Sequence, residues 1–552
     1  MHYLQLPELP CSISFLYITT VLNKRHQKME KPVSKFFDNL RVGVFLPTFL
    51  ILMTALLASY FNMEAFLNIT KSINGMILKN FSWVFSASSF FMVVLVVIVY
   101  LSPIGSVRIG GDTAQPLLSK SKWFMLALST TTAVGVLFWT TAEPLYHVYD
   151  TPAALNITPG TAEAHVFSMA TMFLHWTITP YAIYAVPSIV AALVFYNLRH
   201  KLSIGSMLIP LIGEKYAKRF GGFIDTLAMF ALVAGIASSL GTGSLTLSGG
   251  ISQYIGGDSN PTRLAMIVFV IVATFVASAA SGLHKGLVWL SELNTWIMLA
   301  LGIFVLLAGP TLYIASLGTE SLGVYLQTFF QKSLFTGAAS NDPWPHSWTI
   351  FYWAVWFAWA PVTAIFLGKV GRGYTVKEFI RISMLYPALF SMVWICIFSG
   401  TTIYLDSQSG GALYQVLNNQ GIEQVLYAVL HQLPASKFII AFLLFIAFVA
   451  FVTAADSSTD AIGNLCTKNF TSDSDINGNA LIKIVWGIII GIMSWVMVAF
   501  VGVDGIKMLS NLGGLPGMLI TLATAGSLVY WLMHPEALRI QPKSNHSESK
   551  DK

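Results

Sequence analysis

Apolar runs close to the length of a bilayer crossing fill most of this chain, separated by short polar stretches. A transmembrane helix needs about 20 predominantly apolar residues. On that criterion the pattern predicts twelve spans, at approximately 43–60, 83–103, 123–142, 166–195, 222–250, 263–282, 287–315, 348–368, 382–405, 437–463, 482–503 and 512–533. Short strands of alternating polarity, which a transmembrane β-barrel would need, are not evident. The fold class expected is an all-α polytopic membrane protein. Residues 316–347 form the longest of the loops between spans in the first two-thirds of the chain, and within them GVYLQTFFQKSLF carries an apolar stripe suited to an interfacial helix.

Composition agrees. The 552 residues are 55% hydrophobic and 10% charged, where a soluble domain carries about 25% charged residues. Cys11, Cys396 and Cys466 are odd in number and far apart, giving neither a disulfide framework nor a metal motif. The net charge of +6 does not indicate nucleic acid, because Lys and Arg concentrate in alternate loops. Assigning loops alternately puts 25 of the 31 on the side of both termini and 6 on the other. This bias predicts both termini in the cytoplasm. Residues 1–42 read as a cytoplasmic extension with no secretory signal, 43–533 as the membrane domain and 534–552 as a short polar tail.

Several spans carry more than apolar bulk. Residues 348–361, WTIFYWAVWFAWAP, place Trp353, Trp356 and Trp359 within roughly 120° on a helix. Tryptophan offers the best cation–π face among side chains, although such stripes more often serve core packing. Pro361 is expected to break this helix. Residues 175–184, HWTITPYAIY, contain Pro180, which should kink the span, and Trp176, Tyr181 and Tyr184 within about 140°. Thr130, Thr131, Thr132 and Gly135 interrupt the third span, where a broken helix would free backbone groups for ions and substrate. Glu143 and His147 are expected at the solvated edge, with His175 a hydrogen-bonded structural group. The small residues of 235–250 favour close helix approach; Ser238, Ser239 and Thr242 are weaker ion-binding candidates. Asp456 and Asp460 suggest a structural or gating ion pair, and Thr453 is the better ion ligand.

Together these segments resemble the betaine/choline/carnitine transporter family. The match rests on WTIFYWAVWFAWAP with GRGYTVKEF, supported by FWTTAEPLYH, HWTITPYAIY, SIGSMLIPLIG, SSLGTGSL and FVTAADSST, over roughly residues 35–535. The resemblance implies a LeuT-like fold of twelve helices with an inverted five-helix repeat, the first copy about 123–315 and the second about 348–533. It also implies alternating access and a homotrimer in the bacterial inner membrane. It gives Trp176, Tyr181, Tyr184, Trp356, Trp359 and Thr132 as substrate-binding positions, and Thr131, Thr132 and Thr453 as sites for a possible sodium ion. Three departures stand out. Thr131–Val134 replace most of a glycine-rich run, Tyr181 stands where relatives often have Trp, and Ala454 lacks a hydroxyl that sodium-coupled relatives tend to carry.

The expected function is secondary transport of a quaternary ammonium or related compatible solute, by sodium-coupled symport or by sodium-independent exchange. A solute sensor would normally need a signalling domain, and neither terminus reads as one. An enzyme lacks support: no metal-spaced His/Cys cluster, phosphate loop or nucleophile–base pattern is present.

Overall fold

The computed structural model describes residues 40–131, 135–281, 284–468 and 480–538, and these are helical almost throughout. The long helices are α1 (Val42–Phe61), α2 (Met63–Leu101), α3 (Lys120–Thr131), α4 (Gly135–Tyr149), α5 (Ala162–Trp176), α6 (Ile178–Ala192), α7 (Ile209–Ile255), α8 (Pro261–Ser281), α9 (His284–Ala308), α10 (Thr311–Ser333), α11 (Thr349–Val370), α12 (Tyr386–Gln408), α13 (Ser436–Leu465), α14 (Ala480–Val501) and α15 (Val503–Met533). Among the described residues, ten helical stretches are long and apolar enough to cross a bilayer. Another pair, α9 and α10, bends by 106° and gives an eleventh. Helices α3 and α4 flank residues 132–134 and cover the third expected span. Ten of the twelve expected spans coincide with these helical stretches; the expected span 287–315 runs across the bend between α9 and α10, and 123–142 includes residues outside the described ones. Helix α10 contains the stretch GVYLQTFFQKS of the expected interfacial segment and turns by 106° from α9.

The prolines act differently from one another. Pro180 sits in the first turn of α6, where its ring would clash with the carbonyl of Trp176 in a continuous helix. The chain breaks at that point: Thr177 has φ −116° and ψ −109° between α5 and α6. This break faces Trp176 and Tyr184 differently from the way one straight helix would. Pro361 does not break its span; α11 continues unbroken from Thr349 to Val370. Its missing N–H leaves the carbonyl of Phe357 without a helical donor. That carbonyl lies against Gly517 of α15, where a Cβ would come within 2.1 Å of the oxygen. Gly514, one turn earlier, meets the backbone of Ala354 in the same way. The aromatic helix therefore packs backbone to backbone on α15, which holds its register. The small residues of 235–250 on α7 instead admit side chains, the Phe451 ring against Gly243 and the Trp359 ring against Gly235, while Ser238 Oγ lies 2.7 Å from Ser510 Oγ of α15.

The N-terminal approach to α1 is pinned by charge. Arg41 Nη2 is 2.7 Å from the buried carboxylate of Asp225 on α7, and Nη1 donates to the carbonyl of Leu465 at the end of α13. The expected ion pair at Asp456 and Asp460 concerns side chains outside the described residues, as do residues 1–39 and 539–552.

Gly517→Ala should lower the thermal midpoint of the detergent-solubilised protein, because the added methyl meets backbone rather than a movable side chain. Overpacking of this kind costs about 1–3 kcal/mol. An unchanged melting curve would remove the close α11–α15 packing from the account.

Candidate functional site

The centre of the bundle holds a cavity walled by aromatic rings. Helix α11 contributes Phe351, Tyr352, Trp356 and Trp359, and the α5–α6 pair contributes Trp176 and Tyr184. Thr131 closes it from α3, Gly135 and Trp139 from α4, Ser238, Ser239 and Thr242 from α7, and Ile506 from α15. The rings meet edge to face: Trp176 and Trp356 at 5.3 Å between centroids and 87°, Tyr184 and Trp356 at 5.7 Å and 81°. Indole Nε1 of Trp356 donates to the carbonyl of His175 at 3.0 Å. That carbonyl lies beside the break at Thr177, so the break both orients Trp176 and supplies the acceptor that fixes Trp356.

Beneath this wall lies a carboxylate. Glu143 is completely buried, contrary to the solvated edge position expected for it, and so are His147 and His175. Its Oε1 accepts from His147 Nε2 at 3.0 Å and from His175 Nδ1 at 2.7 Å. Its Oε2 accepts from Trp176 Nε1 at 2.8 Å and from the hydroxyl of Tyr352. Four donors on two oxygens fill the acceptor sites of an ionised carboxylate. The remaining imidazole nitrogens differ: the Thr349 hydroxyl is 3.0 Å from His175 Nε2, whereas the buried His147 Nδ1 has no partner among the described residues. An indole and a phenol that donate to an anion gain electron density on their rings. Trp176 and Tyr352, both cavity walls, are so placed.

The expected site residues do not all gather here. Trp176, Tyr184, Trp356, Trp359 and Thr131 line the cavity. Tyr181 does not; it is three residues from Tyr184 on α6, and its buried hydroxyl pairs with Ser391 Oγ of α12 at 2.9 Å. Trp353 of the signature stripe is fully buried and packs edge-on to His175 rather than facing the cavity. Thr132 lies outside the described residues. Thr453 is absent from the cavity wall, and its hydroxyl donates to the Val449 carbonyl at 2.7 Å. Thr131 donates in the same way to Ala127, which leaves lone pairs on its Oγ1 suited to a hard monovalent cation.

Other residues of the site escaped sequence reasoning. Tyr352 is four positions before Trp356, hence on the same helical face, and that spacing was a usable signal. Glu143 and His147 are also spaced four apart. Their union with His175 depends on α4 packing against α5, which no spacing reveals. These three offer ligand atoms within 4.8 Å of one another, a composition able to hold a metal ion, so the fold assembles a group that the spacings did not show. Here the imidazoles direct N–H groups at the carboxylate, and a metal would need both to present lone pairs instead.

A family model described as the betaine/carnitine/choline family transporter matches residues 43–537. The chain belongs to this family. It is a multi-pass membrane transporter of a small molecule and not an enzyme. Among curated relatives, a probable glycine betaine transporter of Desulfitobacterium hafniense (strain Y51) is 32% identical over 471 residues, covering 84% of this chain and 92% of that protein. An ectoine/hydroxyectoine transporter of Virgibacillus pantothenticus is 28% identical over 464 residues, covering 84% and 91%. A solved Na+-coupled sialic acid symporter aligns over 82% of this chain and 86% of its own, at 14% identity and a TM-score of 0.45.

Glu143→Gln should disturb both the fold and the cavity, since its amide would turn an N–H group toward a donor. Breaking a buried ionic cluster costs about 3–5 kcal/mol. A melting point several degrees lower and weaker solute binding are expected, with Tyr352→Phe showing a smaller loss; equal behaviour of Glu143→Gln and the parent protein would contradict the role given to the carboxylate.

Proposed function

We propose that this transporter takes up a compatible solute bearing a trimethylammonium or related head, held in the aromatic cavity and released on the other side by alternating access. The observation that carries the reading is the ring cluster of Trp176, Tyr184, Trp356 and Trp359 around one cavity. A quaternary ammonium has no N–H to donate, so hydrogen bonds cannot hold its cationic end. Cation–π attraction can, at about 2 kcal/mol or more per desolvated contact. The carboxylate of Glu143, behind Trp176 and Tyr352, adds negative potential to the same wall. The names of relatives that carry glycine betaine or ectoine are consistent with this class.

The reading includes sodium-coupled symport, with Thr131 at the cavity as one ligand, both termini in the cytoplasm of a bacterial inner-membrane protein, an inverted repeat of about 123–315 and 348–533, and assembly as a trimer. One observation favours a second energetic scheme. Ala454 supplies no hydroxyl beside Thr453, and Thr453 is not among the residues lining the cavity. Sodium-independent exchange of two related solutes would follow from a missing ion site.

Proteoliposomes loaded and diluted with independently set sodium and proton gradients separate these schemes. Symport predicts accumulation of labelled betaine, choline or carnitine only with an inward sodium gradient. Exchange predicts uptake without sodium but only with solute inside. Absence of saturable uptake of all three, and of ectoine and proline, would defeat the proposal. In the same assay Trp356→Ala should raise the Kd about thirtyfold, whereas Tyr181→Phe, which alters a side chain outside the cavity wall, should leave it near the parent value.

A further inference from the structure

Lys507 is one of the few cations that loop assignment puts on the side opposite the termini. It stands on α15 directly after Ile506, a cavity-wall residue whose carbonyl accepts from Ser238 Oγ at 3.2 Å. Its side chain is half-buried, with the ammonium over aromatic rings. Nζ lies 4.1 Å above the ring of Trp348 and 5.6 Å from the ring of Phe351. Phe351 lines the cavity, and Trp348 meets the cavity-wall ring of Trp139 at 6.4 Å edge to face. Lys507 takes part in none of the ion pairs found among the described residues. A primary ammonium held on rings, with no carboxylate at contact distance, has donors to offer to an anionic group.

The cavity therefore carries opposite charges at two sides. Glu143 lies behind Trp176 and Tyr352, and Lys507 lies over Trp348 and Phe351. Along α11, Phe351 precedes Trp356 by five residues, about 7.5 Å of helix rise. A flexible lysine stem can cover part of that span, and the body of a small solute can cover the remainder. A substrate with a fixed positive head in the ring box and a negative group toward Lys507 complements both charges. A substrate that is only a cation meets the favourable rings and an ammonium that Asp504, Asp150 and Glu143 offset from beyond ion-pair distance. It gains no partner there, and like charges repel where water is excluded.

We infer that Lys507 supplies the counter-charge for the carboxylate of a zwitterionic substrate, so that this transporter selects trimethylammonium carboxylates over trimethylammonium alcohols of the choline type. The inference rests on the proposed function and adds the group that discriminates within its substrate class. It also gives Lys507 a second position. Without a carboxylate the ammonium rests on Trp348, and with one it turns inward to pair.

The test measures the binding of glycine betaine, γ-butyrobetaine and choline to the purified full-length protein, by tryptophan fluorescence and by competition against labelled uptake. The parent protein should bind one or both zwitterions at least about tenfold more tightly than choline, a difference of about 1.4 kcal/mol. In Lys507→Met, which keeps much of the stem length and removes the charge, that preference should collapse toward one. Lys507→Arg should retain most of it. Lys507→Gln serves as a second neutral variant if the methionine protein does not fold, and the parent preference can be read whether or not either variant folds. Choline bound as tightly as both zwitterions by the parent protein would overturn the inference. So would a neutral variant that keeps the zwitterion preference or weakens all three ligands equally. Failure of all three ligands to bind the parent protein would instead defeat the proposed function on which the inference rests.

Discussion

A carboxylate stripped of water inside a membrane-spanning bundle is costly unless the protein replaces every hydrogen bond that water gave it. Glu143 meets that demand with four side-chain donors from three helices: His147 on its own helix, His175 and Trp176 on α5, and Tyr352 on α11. The constraint works in both directions. The bundle must hold α4, α5 and α11 in one arrangement to satisfy the anion, and the anion in turn fixes the planes of two rings that wall the cavity. A satisfied polar network of this kind rigidifies its surroundings, whereas a partly satisfied one is expensive.

The backbone breaks serve the same centre. Thr177 ends α5 just after the two residues that donate to Glu143, and the His175 carbonyl at that end accepts from Trp356. Gly514 and Gly517 let α11 lie against α15 closely enough to place Ile506 and Lys507 beside the cavity. Packing of small residues and satisfaction of a buried charge are thus two parts of one positioning problem. Van der Waals contact between close helices supplies the adhesion that a hydrophobic drive cannot supply inside lipid.

The alternating access proposed above requires such a site to loosen on one side at a time. The structure divides its interactions unevenly with respect to that need. Hydrogen bonds to Glu143 and the backbone contacts of α11 with α15 are short and numerous at the core of the site. The ring-to-ring and ammonium-to-ring contacts at Trp348 and Phe351 are non-directional by comparison. Such contacts can be exchanged for others at modest cost, while the carboxylate network cannot be opened without leaving a bare buried charge.

Much of this was legible in the residues alone. Twelve apolar runs dictated helices because lipid leaves the backbone no other way to satisfy its polar groups, and the helical period brought Trp356 and Trp359 to one face. Pro180 announced a break, since its ring excludes the carbonyl four residues earlier. Period and propensity could not say that Pro361 would stay within a helix, nor that the freed Phe357 carbonyl would pack against Gly517 of a distant segment. Nor could they separate Tyr181 from Tyr184, which differ in which neighbouring helix each ring meets. The sequence by itself determined which segments cross the membrane and which aromatic residues were available to a cation. Only the tertiary structure decided that Glu143, His147 and His175 join Trp176 and Tyr352, and that Lys507 lies on the cavity's aromatic rim, because contacts between helices remote along the chain leave no period in it.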